Sequence, residues 1–164
     1  MEDIKIYVLD TSVFVQECSG LFSDKAIVTT YMVSEEVKSA DALIQMDILI
    51  RSGMKFLEFS EKSMDEIKAL SEKLSDNLSL TDMSVIALAL DFMKKGKAVC
   101  VVSEDNSLKN LCKLKGIEVV SVKNGKINNT IRWVRKCVSC GKKTSSEECP
   151  VCGSETKYFS RKCV

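Results

Sequence analysis

The spacing of apolar residues along the chain predicts short strands that alternate with helices. Five short apolar or β-rich runs are predicted as strands, at 4–9, 25–30, 55–59, 98–103 and 117–122. Helical spacing of apolar residues occurs in five segments, at 12–18, 32–53, 60–74, 78–97 and 104–116. This alternation is typical of an α/β fold in which a parallel sheet lies between two layers of helices.

Capping residues indicate where several of these helices begin and end. Ser60 is a predicted N-cap, Ser79 or Thr81 is predicted to cap the most apolar helix, and Gly96 is predicted to stop that helix. The segment 32–53 is interpreted either as one bent helix or as two helices in succession.

The chain is long enough for one domain of ordinary size with a small appendage. Its 164 residues are 45% hydrophobic, which is sufficient for a substantial core. No apolar run reaches the length of a membrane span, and residues 1–20 lack the basic start and cleavage site of a signal peptide. We therefore expect a soluble, cytoplasmic protein with no membrane contact, divided into a domain at 1–126 and a smaller one at 127–164.

Acidic residues recur where the predicted strands end and the following helices begin. Asp10 ends the first strand, Glu36 lies early in the helix after the second strand, and Asp82 and Asp105 lie at the starts of later helices. Crossover helices run antiparallel to the strands of a parallel sheet, so their N-termini lie at the carboxyl edge. The pattern therefore predicts four carboxylates at one edge of the sheet.

Each of these acids also has an ordinary structural explanation. Acids in the first turn of a helix are favoured by the helix dipole, and Glu36 beside Glu35 is compatible with a solvated helix face. Gathered at one edge, however, the four carboxylates repel one another, and a divalent cation offsets that repulsion. Mg²⁺ and Mn²⁺ prefer such oxygen ligands and activate water for hydrolysis of a phosphodiester. The chain contains no histidine, which excludes histidine-based catalysis and histidine ligands.

Four of the eight cysteines form two Cys-x-x-Cys pairs within sixteen residues of each other, namely Cys137, Cys140, Cys149 and Cys152. A glycine follows each pair, and only eight residues separate the two pairs. This spacing is typical of a zinc ribbon, in which four thiolates close a tetrahedral and therefore structural site. A redox role is the alternative, but neither pair opens a helix beside an apolar strand, as redox pairs do.

The C-terminal segment is basic, whereas the rest of the chain is acidic. Residues 1–131 contain 16 Lys and Arg against 20 Asp and Glu, and residues 132–164 contain 8 against 3. Aromatic residues lie between the basic ones, which is the composition required for binding single-stranded RNA. A solvated basic surface and a small aromatic core are the alternatives. The predicted RNA-binding side chains are Arg132, Arg135, Lys136, Lys142, Lys143 and Arg161.

Four stretches in the same order resemble the PIN-domain ribonucleases: VLDTSVFV (8–15), VSEEV (33–37), LTDMSVIALAL (80–90) and VVSEDNSLKNL (101–111). The resemblance implies a PIN-like α/β/α sandwich and a metal-dependent endoribonuclease. It also implies that the matching acids, Asp10, Glu36, Asp82 and Asp105, bind Mg²⁺ or Mn²⁺. Thr11 or Ser12, and Thr81, would help to place metal or water. Glu36 is preferred to Glu35 because it is the acid that precedes valine.

A PIN-like body followed by a four-cysteine ribbon is similar to the Nob-type endonucleases, and the compact length resembles their archaeal members. That family cuts the precursor of small-subunit ribosomal RNA at its 3′ end. The resemblance therefore implies that the substrate is a single-stranded region of the precursor RNA. It also implies that the small ribosomal subunit and assembly factors are partners. The alternatives are a non-catalytic RNA-binding assembly factor and a toxin-type PIN ribonuclease. A DNA-binding zinc-ribbon regulator is a more remote one.

Overall fold

The computed structural model describes residues 4–74, 78–123 and 126–162, without the side chains of 126, 128–133 and 160–162. Within these ranges the strands are β1 (Ile6–Leu9), β2 (Ala26–Thr29), β3 (Lys55–Phe56), β4 (Val99–Val102), β5 (Glu118–Lys123), β6 (Lys126–Cys137) and β7 (Thr156–Lys162). The α-helices are α1 (Tyr31–Glu36), α2 (Ala40–Arg51), α3 (Glu61–Leu74), α4 (Leu80–Lys94) and α5 (Asn106–Lys115). No helix in these described ranges is long and apolar enough to cross a membrane.

The strands form a single sheet in the order β3-β2-β1-β4-β5-β6-β7. The first five strands in this order are parallel, and β6 and β7 are antiparallel to their neighbours. The chain winds outward from β1 in one direction through β2 and β3, and in the other through β4 and β5. Strand order therefore reverses between β1 and β4, the position where open α/β sheets place their ligand sites. The predicted parallel α/β fold is confirmed.

The core lies around β4 and α4, the two most apolar elements of the chain. All four residues of β4 are buried, and so is every residue of α4 from Ser84 to Leu90. Continuous burial of this kind explains why neither segment shows an alternating or one-sided apolar pattern. The helix α4 contacts β1, β4, α1, α3 and α5, so it fixes the elements that surround the carboxyl edge.

The segment 32–53 forms two helices rather than one bent helix. Val37 has extended backbone angles at the end of α1, and the Ser39 hydroxyl accepts a hydrogen bond from the Ala42 N–H at the start of α2. Thr30 caps α1 in the same way by accepting from the Val33 N–H. Because Ser39 provides an N-cap three residues after the end of α1, the chain begins a new helix there instead of continuing the first one.

Two other predicted elements are shorter than expected. The helix predicted at 12–18 is a 3₁₀ turn at Thr11–Val13, and a second 3₁₀ turn follows at Ser19–Phe22. The strand predicted at 55–59 ends at Phe56. Beyond that strand, the Ser60 N–H and hydroxyl both donate to the Asp91 carboxylate of α4, which directs the chain into α3.

The C-terminal strands extend the sheet of the body. The strand β6 pairs with β5 on one side and with β7 on the other, and its last residue is Cys137. The Tyr158 ring of β7 lies against Gly116, the left-handed C-cap of α5, where a Cβ atom would be 2.7 Å from the ring. The predicted division at residue 126 coincides with the start of β6, and it stays a prediction.

Candidate active site and four-cysteine cluster

Asp10 lies at the carboxyl end of β1, at the point where strand order reverses. Its N–H donates a 3.0 Å hydrogen bond to the Val102 carbonyl at the end of β4. The residue is only 2% exposed. Two hydroxyl groups donate to the same carboxylate oxygen, Oδ2: Ser12 at 2.9 Å and Ser103 at 2.7 Å. One oxygen of Asp10 is therefore held by two short hydrogen bonds, one from the turn after β1 and one from the residue that follows β4.

The two serine hydroxyls are themselves held by the backbone of the loop after β4. The Glu104 N–H donates to the Ser12 hydroxyl, and the Asp105 N–H donates to the Ser103 hydroxyl, each at 3.1 Å. Because each hydroxyl accepts from the backbone, its proton is directed towards Asp10. The other carboxylate oxygen of Asp10, Oδ1, is buried and has no hydrogen-bond partner among the described residues. A buried carboxylate oxygen without a hydrogen bond is costly unless a cation or an ordered water pairs with it.

Asp82 lies in the first turn of α4, as predicted, and forms a capping box with Ser79. The Ser79 hydroxyl accepts from the Asp82 N–H, and the Asp82 carboxylate accepts from the Ser79 N–H and hydroxyl. Burial raises the pKa of Asp82, and the negative charges of Asp10 and Asp105 raise it further, against the lowering effect of the Ser79 hydrogen bonds. Asp82 is thus close enough to Asp10 and to Asp105 to be repelled by both.

Asp105 is the N-cap of α5, and one of its oxygens accepts a 2.7 Å hydrogen bond from the Leu108 N–H. Its side chain is exposed, and it follows β4 by three residues. Asp105 therefore lies at the same carboxyl edge as Asp10. Asp10 follows β1 and Asp105 follows β4, the two strands between which strand order reverses.

Glu36 is the last residue of the short helix α1, rather than a residue in the early turns of a longer helix. Its carboxylate accepts a 3.2 Å hydrogen bond from the Thr11 hydroxyl, which joins it to the turn that follows Asp10. This contact favours Glu36 over Glu35 as the acid beside the site. Thr81 lies in the first turn of α4, and its carbonyl accepts from the Ser84 hydroxyl.

The four acids share one edge but do not form a compact set of ligand atoms. In the described part of the chain, the cysteine cluster is the only group of three or more Cys, Asp or Glu ligand atoms in which all lie within 4.8 Å of one another. Burial is the main cause of the raised pKa of Asp82, and repulsion from Asp10 and Asp105 adds to it; this repulsion opposes a closer approach of the carboxylates.

The four cysteines do form such a group. The sulfur of Cys137 lies 3.4 Å from that of Cys152, and the sulfur of Cys140 lies 3.6 Å from that of Cys149. In a tetrahedral zinc site with Zn–S bonds of about 2.3 Å, neighbouring sulfurs lie about 3.8 Å apart. The observed cluster therefore has the dimensions of a four-thiolate metal site.

Backbone turns prepare this cluster for a metal. The Cys140 N–H donates to the Cys137 sulfur, and Gly141 and Gly153 adopt positive φ angles directly after the two pairs. Hydrogen bonds from Ser154 lower the pKa of Cys152 to about 6. This favours the thiolate form that metals bind.

The thiol of Cys140 shows the opposite effect. The Lys142 N–H lowers its pKa, but the adjacent Cys137 and Cys149 sulfurs outweigh this and raise the pKa of Cys140 to about 11. Crowded sulfurs of this kind resist ionisation together and are stabilised as thiolates by a shared cation.

The predicted RNA-binding side chains divide into free and engaged groups. Lys142 and Lys143 are exposed on the loop between the cysteine pairs, and Lys136 is half-buried. Arg135 donates to the Thr156 hydroxyl at 3.1 Å, and its guanidinium lies 4.7 Å from the centre of the Tyr158 ring. Arg135 therefore joins the ribbon strands to each other. The side chains of Arg132 and Arg161 lie outside the described residues.

Comparison with known proteins identifies the family. Residues 7–92 match the family model described as the PIN domain of ribonuclease. Over 159 residues the chain is 34% identical to endoribonuclease Nob1 of Archaeoglobus fulgidus, covering 94% of this chain and 91% of that protein. The chain belongs to the Nob1 endoribonuclease family. It is also 30% identical to Nob1 of Methanothermobacter thermautotrophicus, over 90% of this chain and 88% of that one. The resemblance to Nob-type nucleases is thus confirmed.

A solved structure shares the fold of this Nob1 family member. The VapBC-5 toxin–antitoxin protein of Mycobacterium tuberculosis matches with a TM-score of 0.51 at 18% identity, over 71% of this chain and 98% of that one. At this identity, the likeness concerns the fold alone. It agrees with a PIN-like body to which the cysteine-containing strands are added.

Ser103 was not among the site residues predicted from sequence, although its hydroxyl holds Asp10. Ser12 was predicted only as an alternative to Thr11. In the structure the two neighbours have separate partners, since Ser12 contacts Asp10 and Thr11 contacts Glu36. The sequence signal that could have identified these residues is their spacing from the acids: Ser12 lies two positions after Asp10, and Ser103 lies two positions before Asp105. The sequence does not indicate which acid each hydroxyl contacts.

Proposed function

We propose that this protein is a metal-dependent endoribonuclease that cuts the precursor of small-subunit ribosomal RNA at its 3′ end. Membership of the Nob1 family supports this, and so does the combination of an acidic sheet edge with a basic four-cysteine ribbon. The observation that carries the proposal is the Asp10 carboxylate, which is buried at the strand reversal with one oxygen that no group in the described part of the chain pairs with.

The residues at the edge fit one or two Mg²⁺ or Mn²⁺ ions. Asp10 offers the unpaired oxygen Oδ1, and the pKa of Asp82 is raised by burial and by repulsion from Asp10 and Asp105, which a cation would relieve. We propose that Asp10, Asp82 and Asp105 hold the metal, with Glu36 contributing directly or through water. Carboxylate oxygens and retained waters are the coordination that Mg²⁺ prefers.

A bound divalent cation supplies a more acidic water and neutralises charge on the phosphate in the transition state. The side chains of the protein supply the orientation. Ser12 and Ser103 fix the Asp10 carboxylate, and Thr11 fixes the Glu36 carboxylate, which is exposed and able to accept a proton from the attacking water. Thr81 lies beside Asp82 and is proposed to position water or RNA.

The ribbon is proposed to hold a structural Zn²⁺ through Cys137, Cys140, Cys149 and Cys152. With all four positions filled by thiolates, such a site has no open position for water. Lys142 and Lys143 project from its exposed loop and provide positive charge for RNA phosphates. We extend the same role to Lys136, Arg132 and Arg161. Arg135 is held within the ribbon by its contacts with Thr156 and Tyr158, and we propose that it contributes positive charge from that position.

The proposed substrate is a single-stranded region of the precursor RNA within the assembling small subunit. Basic side chains bind its phosphates, and unpaired bases remain accessible for recognition by the protein. Assembly factors that present the RNA are proposed partners, and the cytoplasm is the proposed location.

The test is cleavage of a labelled precursor that spans the 3′ end, with Mn²⁺ and with EDTA. Wild type is compared with Asp10→Asn and with Asp24→Asn, because Asp24 is exposed before β2 and therefore lies at the opposite edge of the sheet. We expect one metal-dependent cut that Asp10→Asn loses and Asp24→Asn keeps, with RNA affinity unchanged or raised in Asp10→Asn. Tight binding without cleavage would instead identify a non-catalytic assembly factor, and cleavage of unrelated RNAs would favour a toxin-type nuclease.

A further inference from the structure

Two stacked aromatic rings, one exposed and one partly buried, lie at the carboxyl edge of the sheet. Tyr31 is the first residue of α1, and its ring stacks on Phe56 at the end of β3, with centroids 5.6 Å apart and planes inclined by 28°. Tyr31 nevertheless remains 56% exposed. The stack with Phe56 restrains the ring, so Tyr31 presents an ordered aromatic surface to solvent.

The strand register places this pair next to the acidic site. Thr29 pairs with Phe56 on one side, and on the other its hydroxyl donates a 2.8 Å hydrogen bond to the Leu9 carbonyl, directly before Asp10. Neighbouring strands lie about 4.8 Å apart, so the ends of β2 and β3 are about 5–10 Å from the end of β1. The aromatic pair and Asp10 therefore share one continuous edge.

A buried contact also ties the start of α1 to the helix that carries Asp82. The hydroxyls of Thr30 and Ser84 are 2.8 Å apart and both buried. Thr30 precedes Tyr31, and Ser84 lies two residues after Asp82. The position of Tyr31 is thereby fixed relative to the proposed metal ligands, as a substrate-positioning residue requires.

A separate cavity of about 400 Å³, which neither ring lines, is formed by residues of α1, α3 and α4 and of the loop before α3. Met32, which follows Tyr31, contributes to its wall, and Leu80, which lies two residues before Asp82, is exposed there. The remaining lining is mixed: Phe59 and Met64 are apolar, and Glu61, Asp65 and Lys68 are charged. Apolar walls with a few polar groups are typical of sites for planar small molecules or bases.

An unpaired nucleobase suits this surface better than an apolar protein segment does. The aromatic pair lies at the same sheet edge as the acids, where RNA is the proposed substrate. The charged side chains belong to the separate cavity, where a carboxylate such as that of Asp65 can accept a hydrogen bond from the exocyclic amino group of a base. Aromatic side chains are the usual platform for splayed bases of single-stranded RNA.

We propose that the Tyr31–Phe56 pair is a binding site for one unpaired nucleobase of the RNA, adjacent to the phosphodiester that is cut. Tyr31 stacks on the base and so fixes the neighbouring phosphate over the carboxylates. This inference rests on the proposed function, since it assigns part of the substrate to the same site.

The test combines protein variants with abasic substrates. Tyr31→Ala, the conservative variant Tyr31→Phe and wild type are assayed in Mn²⁺ on the precursor RNA. A series of RNAs with one abasic nucleotide at each position around the cut is assayed in parallel. The control is Leu114→Ala, because Leu114 is an exposed apolar residue near the end of α5, at the opposite edge of the sheet.

We expect Tyr31→Ala to lower kcat/KM about ten-fold, as for the loss of one base–aromatic stack, with Tyr31→Phe and Leu114→Ala near wild type. One abasic position should lower wild-type cleavage by a similar factor and have no further effect in Tyr31→Ala. A purely structural role for Tyr31 would leave the abasic effect unchanged in the variant, and that result would overturn the inference. Full activity of Tyr31→Ala would overturn it too, whereas absence of metal-dependent cleavage by wild type would refute the proposed function itself.

Discussion

The hydroxyl of Ser103 donates a 2.7 Å hydrogen bond to Oδ2 of Asp10, across 93 residues of sequence. Both residues lie where β4 and β1 end side by side, so the bond closes the point of strand reversal. Because Ser12 donates to the same oxygen, Oδ2 is engaged twice, whereas Oδ1 has no partner within the described ranges and is the oxygen proposed to bind the cation. The contact gives Ser103 a role in orienting the proposed metal ligand.

Ser103→Ala is expected to weaken the binding of Mn²⁺ about ten-fold, because loss of a hydrogen bond that orients a ligand typically costs 10–100-fold in affinity. The metal concentration for half-maximal cleavage should rise, and kcat at saturating Mn²⁺ should recover. The matched control is Ser52→Ala, which removes a hydroxyl that donates to the Ile48 carbonyl at the end of α2. An unchanged Mn²⁺ requirement in Ser103→Ala would show that Ser12 alone holds Asp10.

The adjacent acids Glu35 and Glu36 are expected to differ sharply in mutational effect. Glu36→Gln should lower kcat by about 10²-fold or more, as expected for a residue that takes a proton from the attacking water. Glu35→Gln is the control and should stay near wild type, since only Glu36 accepts the Thr11 hydrogen bond among the described contacts. Equal losses in single-turnover assays of the two variants would contradict this assignment.

Asp82→Asn is expected to stabilise the protein in EDTA at neutral pH. Burial and the neighbouring aspartates raise the pKa of Asp82, so the folded protein holds this proton more tightly than the unfolded chain does. The charged carboxylate therefore costs stability above its folded-state pKa, and the cost disappears below the ordinary value of 3.8. The amide of Asn can still accept the Ser79 hydrogen bonds.

Thermal unfolding in EDTA at a series of pH values measures this effect. The gain in Tm for Asp82→Asn should be largest near pH 7 and should vanish as the pH falls towards 3.8. In Mn²⁺ the order should reverse, because the cation stabilises wild type and not the variant. A loss of stability that is independent of pH would show that the cap dominates over the repulsion.

Gly116→Ala is expected to destabilise the protein more than Gly96→Ala. Both glycines have left-handed angles, φ +70° and +73°, so each alanine incurs about 1–2 kcal/mol of backbone strain. Only at Gly116 does the new Cβ meet another group, the Tyr158 ring at 2.7 Å. Urea unfolding of the two variants measures the difference, and equal losses would show that β7 moves aside without cost.

Cys149→Ser is expected to abolish zinc retention and to weaken RNA binding, while the body keeps its fold. The variant removes one of four sulfurs that converge within 4.8 Å. Because metal binding supplies much of the folding free energy of such small modules, its loss should unfold the ribbon. Elemental analysis and circular dichroism provide the measurement, with Cys18→Ser as the control at a buried cysteine outside the cluster. Unchanged zinc content in Cys149→Ser would refute the four-thiolate site.

Several features of the molecule were predictable because local patterns determine them. The apolar run at 98–103 predicts a strand buried on both faces, and β4 is one. The Cys-x-x-Cys pairs predict the cysteine cluster, since short turns bring each pair together and zinc-ribbon spacing brings the pairs together. The alternation of strands and helices also predicts which acids reach the carboxyl edge.

Tertiary structure alone decided how these parts contact one another. The sequence does not indicate that the hydroxyl of Ser103 contacts Asp10 rather than Asp105, because the pairing of β1 with β4 sets that distance. Nor does it indicate that Tyr158 packs on Gly116, since this depends on the register of β6 between β5 and β7. Element type and metal-ligand spacing follow from periodicity within a few turns of chain. Contacts between distant residues depend on strand order and packing, which no local pattern encodes.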